Sequence, residues 1–507
     1  MSRFPPIWNA GLLALAALAL AACGKSSDSE QPPSTAETRV SNVVMIGIDT
    51  VRFDSWHIPE RTDTEDAFTP WLARSQTFAQ AIAPSPWTVP AVASILTGLY
   101  PSQHGGGLFE QPVANLAHDF PSTITPAATT LASWLSEQGV KSQAVSAHPW
   151  FQANYGMQRG FDQLGLRKQA PKVVEYGLQW YDRQRAADPD QRNFLYLHFM
   201  EAHDRHLDLD ASRKFVEAMP VEERERLLRT APPEACGDAD ADMCARYLIY
   251  ADAVLELRQV LADLLEALER SGALEDTLVV LYSDHGEEFH DHYDISVSRH
   301  EDPRDIYGFG HGQSLYQELL HVPLQLWHPE LPGKEIDTPV SLVDVMPSIL
   351  EWFGESLPPD IQYPGRSFAG LVERDNAPPF EWSKNQLKQD STTHRNLFAS
   401  GIAYGPEQMA VIREGRKLIW HQSDNERELY DLRQDAHEKN PLDLDSTPLV
   451  DVMDDALDQY FEWFDSRDYL APEISDDVIE SLKGVGYLQG VESGKSAPQP
   501  EADDDSN

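Results

Sequence analysis

The sequence predicts an α/β fold: a doubly wound, mostly parallel sheet flanked by helices, with a small antiparallel-sheet subdomain near the C-terminus. Three observations predict it. Apolar runs rich in β-branched residues alternate with stretches of helical period, the pattern of strands buried on both faces of a parallel sheet. Polar residues stand just after the ends of several runs, where open α/β sheets bind ligands. From about residue 395 the pattern changes to short runs divided by turn signals, as in antiparallel strands.

Val43 to Ile48 (VVMIGI) is the first strand, and Asp49 follows it. The segment S-P-W-T-V-P-A-V-A-S-I-L-T-G places Thr88 at the opening of a helix, with Pro90 in the first turn. Leu131 to Gln138 has helical character, Gly139 suits its C-cap, and a short strand follows near Ala144. Phe194 to Met200 (FLYLHFM) is the next strong strand, and Arg246 to Ser271 is a long helix that stops at Gly272. Thr277 to Ser283 (TLVVLYS) runs as a strand into Asp284-His285-Gly286, and Val322 to Trp327 is another. The antiparallel runs are LFASGIAY, QMAVI, KLIWHQ and ELYDL. These readings divide the chain into a main domain, 41–375, an antiparallel subdomain, 376–465, a helical segment, 466–490, and a disordered tail, 491–507. Within the main domain a charged, partly helical insertion, 205–245, could overhang the site.

The N-terminus reads as an address. Arg3 precedes an apolar run, Gly11 to Ala22, which is short for a membrane span and suits a signal peptide. L-A-A-C ending at Cys23 resembles a bacterial lipobox, which implies acylation of Cys23; the bland reading is an ordinary cleaved signal. With residues 1–22 removed and 23–40 as a tether, the chain is expected to be exported and lipid-anchored, Gly24 fitting the periplasmic face of the outer membrane or the cell surface of a bacterium. Cys236 and Cys244 suggest a local disulfide in an oxidising compartment, with two reduced thiols as the alternative. Forty basic against 82 acidic residues give a net charge of −42, which excludes nucleic acid as a partner because phosphate backbones recruit Lys and Arg.

Four segments carry chemistry: I-G-I-D-T with Asp49, the Thr88 helix, H-F-M-E-A-H with His203, and Y-S-D-H-G-E-E with Asp284 and His285, followed by H-G-Q-S-L-Y from His311. Singly each has a structural explanation, since an Asp at a strand end often caps a helix and a Thr before a helix is often its N-cap. As an ordered set, together with L-T-G-L-Y-P (Leu96 to Pro101), V-D-V-M-P-S-I-L from Val343 and E-L-Y-D-L (Glu428 to Leu432), they resemble the sulfatase family within the alkaline phosphatase superfamily. The resemblance runs from about Asn42 to Leu442 and implies an anionic ester as substrate.

Alignment through Pro90 and Thr97-Gly98 puts Thr88 at the family's nucleophile position and Val92 at its arginine. No Cys or Ser is followed by x-P-x-R, so formylglycine is not expected. Thr50 stands where a second Asp is typical, and His285 replaces the Asn after Asp284. Asp49, Thr88, Asp284 and His285 then form a four-ligand set that suits Zn²⁺ or Mn²⁺ better than Ca²⁺. One metal ion is favoured over two, because Phe199 stands where a two-metal relative has a ligand; Glu201, Asp204, His206 and His311 remain the donors for a variant second site. The resemblance implies that His203 binds substrate and that His311 contacts it and could protonate the leaving group. The leading reading is a hydrolase or transferase acting on phosphate mono- or diesters through a Thr88 alkoxide. The alternatives are a sulfate-ester hydrolase using unmodified threonine, and a degenerate sulfatase-shaped binding lipoprotein.

Overall fold

A computed structural model of the chain describes residues 40–488 except 59–66, 153, 230–232, 234–235, 238–239, 360, 373–394, 466–468 and 473, and omits the side chains of 463–465. The expected signal peptide, Cys23, almost all of the tether, residues 376–394 of the antiparallel subdomain and the tail from 491 lie outside the described residues. Among the described residues no helix is long and apolar enough to cross a membrane.

The main sheet contains, in chain order, β1 (Asn42–Ile48), β2 (Gln76–Phe78), β3 (Lys141–Ser146), β4 (Gln163–Leu166), β5 (Asn193–Phe199), β6 (Thr277–Ser283), β7 (Leu324–Trp327) and β8 (Lys334–Ile336). Its spatial order is β8-β2-β7-β6-β1-β5-β3-β4. β1 is parallel to β5 and β6, β3 is parallel to β5 and β4, and β7 is antiparallel to both β6 and β2. Alternation along β1 sends Val43 and Met45 into one core and Val44, Ile46 and Ile48 into the other. The first core is covered by α1 (Thr88–Thr97), α2 (Leu131–Glu137) and α7 (Val345–Trp352). The second is covered by α3 (Ala170–Ala187) and α6 (Ala241–Arg270). Helices on both faces explain why these strands read as apolar throughout rather than alternating.

Register places the site. Ile48 lies opposite Phe199 on β5 and Ser283 on β6, so the three central strands end at one level. The backbone N–H of Asp49 donates to the Phe199 carbonyl at 3.0 Å and that of Asp284 to the Ile48 carbonyl at 3.3 Å. Two carboxylates distant in sequence therefore emerge side by side.

The structure departs from expectation in three places. Val322 to Trp327 is not one strand: His321–Val322 joins a small sheet with Ala81–Ile82, and β7 begins after Pro323, whose missing N–H cannot continue a ladder. The long helix starts at Ala241 rather than Arg246, because the Asp240 side chain caps the N–H groups of Asp242 and Met243; the expected insertion 205–245 ends inside it. LFASGIAY is also divided. Gly401, at φ +90°, separates β9 (Leu397–Ser400) from Tyr404–Pro406, which pairs instead with Val113–Asn115.

The insertion holds α4 (Leu209–Ala218) and α5 (Val221–Leu227), both packed against α6, and Cys236 and Cys244 are joined by a disulfide at the start of α6. The C-terminal sheet runs β9, β10 (Gln408–Arg413), β11 (Arg416–His421) and β12 (Glu426–Asp431), antiparallel in chain order. α8 (Leu449–Asp465) packs on it, and α9 (Asp476–Gly484) follows. All described residues belong to one compact unit.

Candidate active site

Asp49, Thr88, Asp284 and His285 converge at the ends of β1 and β6, and all four are buried. Asp49, Asp284 and His285 each offer a ligand atom, and these atoms lie within 4.8 Å of one another. Thr50, just after Asp49, adopts φ +60°, a strained value for a β-branched residue; its hydroxyl donates to the Asp49 carbonyl and its carbonyl accepts from the Tyr250 hydroxyl. Thr88 is the first residue of α1, with Trp87 as N-cap and no side-chain cap. Its Oγ1 is 3.2 Å from His285 Nε2, so the hydroxyl is aimed into the cluster and not spent on capping.

The donor set fits a divalent cation. Both Asp49 oxygens and Asp284 Oδ2 are buried without a hydrogen bond of good geometry, although His148 Nε2 and His285 Nε2 each stand 3.3 Å from Asp49. Unsatisfied buried carboxylate oxygens are costly unless a cation meets them. His285 Nδ1 is 2.9 Å from the Gly286 carbonyl and donates to it, which turns the Nε2 lone pair toward Asp49, Asp284 and Thr88, as metal-ligating histidines require. Burial alone would raise the Asp49 carboxyl, but the imidazoles of His285, His203 and His148 hold it far below the usual range. Burial opposes protonation of His285, yet Asp284 and Asp49 lift it to about 9, a measure of how strongly the two carboxylates draw positive charge to this point.

A second shelf of groups faces Thr88. His203, on a one-turn helix after β5, hydrogen-bonds through Nδ1 to Asp204 at 2.8 Å. Burial works against its charge, but Asp204 and Asp49 raise it to about 9, so it is cationic at neutral pH. His311 Nδ1 lies 3.1 Å from Glu287 Oε2, while burial and the neighbouring His285 and His203 bring the ring down to about 4. As it stands His311 is neutral, with the Nε2 lone pair facing the site, so it must first take up a proton before it can give one. At the centre of the shelf is the hydroxyl of Tyr487, 3.2 Å from Thr88 Oγ1 and 3.1 Å from His203 Nε2.

Thus all the expected site residues come together. Of the donors for a second metal, Glu201 is turned away, accepting from the Ala170 and Met200 N–H groups, and Asp204 is half exposed against His203. His206 Nε2 faces Glu287 Oε1 at 3.6 Å. Among the described residues the only other converging donor set is Glu288, His292 and Glu318, which none of these belongs to.

Four residues escaped the sequence reading. Glu287 lay unassigned inside D-H-G-E-E, yet it is fully buried and anchors His311 and His206. His148 follows β3, whose end was not inspected for ligands; its Nδ1 accepts from the Trp150 N–H, so a neutral ring offers Asp49 its Nε2–H and is no metal ligand. His198 sits inside β5, 3.8 Å from Asp284 Oδ2, with neither ring nitrogen hydrogen-bonded. Gly47 makes room for it, since a Cβ there would lie 2.7 Å from the His198 ring. Tyr487 gave no signal, being 399 residues from Thr88.

The family profile described as "Sulfatase" matches residues 41–355. N-acetylglucosamine-6-O-sulfatase of Bacteroides thetaiotaomicron is 26% identical over 197 residues, which is 38% of this chain and 31% of that relative's length. The chain therefore aligns with under a third of that curated relative. In fold, a protein from the metabolism of multiple glycosaminoglycans by Bacteroides thetaiotaomicron superposes with a TM-score of 0.61 at 18% identity, covering 84% of this chain and 97% of that one. Phosphonate monoester hydrolase of Agrobacterium radiobacter gives 0.55 at 16% identity, covering 83% and 95%.

Proposed function

The chain belongs to the sulfatase family, and on that premise we propose that it is a metal-dependent hydrolase of anionic esters, phosphate mono- or diesters first, with Thr88 as nucleophile. The observation that carries this reading is the Thr88 hydroxyl, at the head of a buried helix and 3.2 Å from His285 Nε2, where the family's oxidised Cys or Ser would stand. A divalent cation held by Asp49, Asp284, His285 and Thr88, with Zn²⁺ or Mn²⁺ suited to the imidazole, would supply positive charge to the attacking and departing oxygens.

The chain's own residues do the rest. The α1 N-terminus turns its free N–H groups toward an anionic ester. His203 brings the positive charge that Val92 does not, and holds a non-bridging oxygen. The Thr88 oxygen bonds to phosphorus as the bond to the leaving alkoxide breaks. His311, neutral and anchored on Glu287, takes up at Nε2 the proton that the Thr88 hydroxyl gives up and passes it to the leaving oxygen. Water then attacks the phosphorus of the Thr88 adduct, releasing phosphate when the substrate is a monoester or a phosphate monoester when it is a diester, and restoring the hydroxyl.

A sulfate-ester hydrolase is the second reading, favoured by the name of the relative above. It is less well served here, because sulfate on a threonine lacks the easy release that a formylglycine diol provides. Assay of aryl phosphate mono- and diesters, phosphonates and sulfates with Zn²⁺, Mn²⁺ and Ca²⁺ separates the two. Rapid quench with a slow phosphodiester should leave a phosphoryl group, still carrying the ester that has not departed, on the Thr88 peptide. Turnover of sulfates alone, or an unmodified Thr88 during burst turnover, would reject the phosphoryl reading.

A further inference from the structure

The hydroxyl of Tyr487 stands 3.1 Å from His203 Nε2, 3.2 Å from Thr88 Oγ1, 3.3 Å from His311 Nε2 and 3.4 Å from His148 Nε2. With His148 Nε2–H turned to Asp49, the phenol meets the other three groups with its one proton and two lone pairs. The point it occupies lies against the nucleophile and beside a cationic imidazole, where an oxygen of a phosphoryl or sulfuryl group would have to sit. We propose that the C-terminal segment Ser475–Leu488 is a built-in occupant of the active site: Tyr487 holds the place of a substrate oxygen, and an ester enters only when the segment withdraws.

The segment is shaped for this. α9 buries Val478, Ile479 and Leu482 and packs beside Pro149–Phe151, the turn that follows His148. Gly486, at φ +88°, then bends the chain past Leu207 of the insertion and delivers Tyr487 inward. The phenol ring is held among Trp150 at 5.4 Å, His203 at 5.3 Å and His148 at 5.5 Å between ring centroids. Tyr487 is 3% exposed and Leu488 wholly buried, so the segment seals the cluster from water as well as filling it. A catalytic role for the phenol fits poorly. It lies against the nucleophile, in the volume that a reacting ester needs, rather than out at a leaving group.

This inference rests on the anion-ester reading of the same site, but its test does not require turnover. Binding of inorganic phosphate is measured by calorimetry on the full, metal-loaded chain, the Tyr487→Phe variant and the Tyr487→Ala variant. With the competitor gone, Tyr487→Ala should bind phosphate about tenfold more tightly, as removal of a roughly 10:1 closed population predicts, and Tyr487→Phe should shift the same way by less. Saturating phosphate should also speed hydrogen exchange of amides 476–488 in the parent, with the central strands unchanged in all three proteins. Phosphate affinity that is unchanged or weaker in both variants, or exchange slowed by phosphate, would overturn the proposal and make Tyr487 part of the binding machinery. A chain that gives the expected shifts but hydrolyses no ester would keep this inference and remove the hydrolase reading. Turnover of esters with equal KM in all three would remove this inference alone.

Discussion

A threonine hydroxyl is a weak nucleophile in water, and what distinguishes Thr88 is its surroundings: a helix N-terminus, two buried carboxylates and an imidazole lone pair. Because Trp87 and not Thr88 is the N-cap, Thr88→Ala should cost no more than about 1 kcal/mol of stability. The same change should remove several orders of magnitude in kcat, the scale on which deleted nucleophiles act, while Thr88→Ser retains part of the rate. Near-parental turnover by Thr88→Ala in steady-state assays would pass the attack to water. The second buried cluster gives a pH prediction. Burial and Glu318 raise the Glu288 carboxyl to about 8; burial opposes protonation of His292, but Glu318 lifts it to about 9. Both folded values lie above the unfolded ones, so the native state holds extra protons. The stability this contributes is full below the unfolded values and is lost as pH rises through 8 and 9. Thermal melts should show Tm falling from neutral pH to about 9, with a shallower fall in Glu288→Gln; parallel curves for the two proteins would refute it. At this scale Asp49, Thr88, His203, Asp284, His285 and His311 could be read from motifs, whereas His148 and His198 could not, since a histidine in or after a strand is usually structural.

Elements followed the sequence wherever a single period ran unbroken. β6 spans the seven residues expected of it, and α2 ends where Gly139, at φ +76°, turns the chain. Reading failed where one side chain overrides the run: Pro323 and Gly401 divide apparent strands, and Asp240 starts α6 a turn early. The Cys236–Cys244 disulfide closes a short loop at that same helix start, with a sequence separation of 8. Replacing both cysteines by Ser should destabilise the insertion by about 2 kcal/mol, the scale for a short loop, and should leave bound metal and kcat unaltered. Hydrogen exchange of α4, α5 and the first turns of α6 would show the loosening; loss of metal in the variant would mean that the insertion supports the site.

Across the whole molecule, the expected C-terminal antiparallel sheet is present, and its Ala410 and Ile419 pack into a core that also takes Val43 of β1, and Leu482 and Leu488 beyond it. A shared core predicts one calorimetric unfolding transition for the metal-free chain, and two resolved transitions would refute it. Export remains an expectation from L-A-A-C, and mass spectrometry of protein from its native membrane should find acylation at Cys23. A free N-terminus further along would end it.

By itself the sequence determined what depends on neighbours in the chain: strand and helix periods, and the Asp, Thr and His side chains that stand beside strand ends and helix starts. Only the tertiary structure decided what depends on register and on returning segments. Ile48 aligned with Ser283 brings Asp49 to Asp284; Gly47 opens space for His198; and a turn at Gly486 carries Tyr487 onto Thr88 across 399 residues. Local periodicity encodes which face a residue shows, but a contact between distant segments exists only once the sheet has fixed both ends in space.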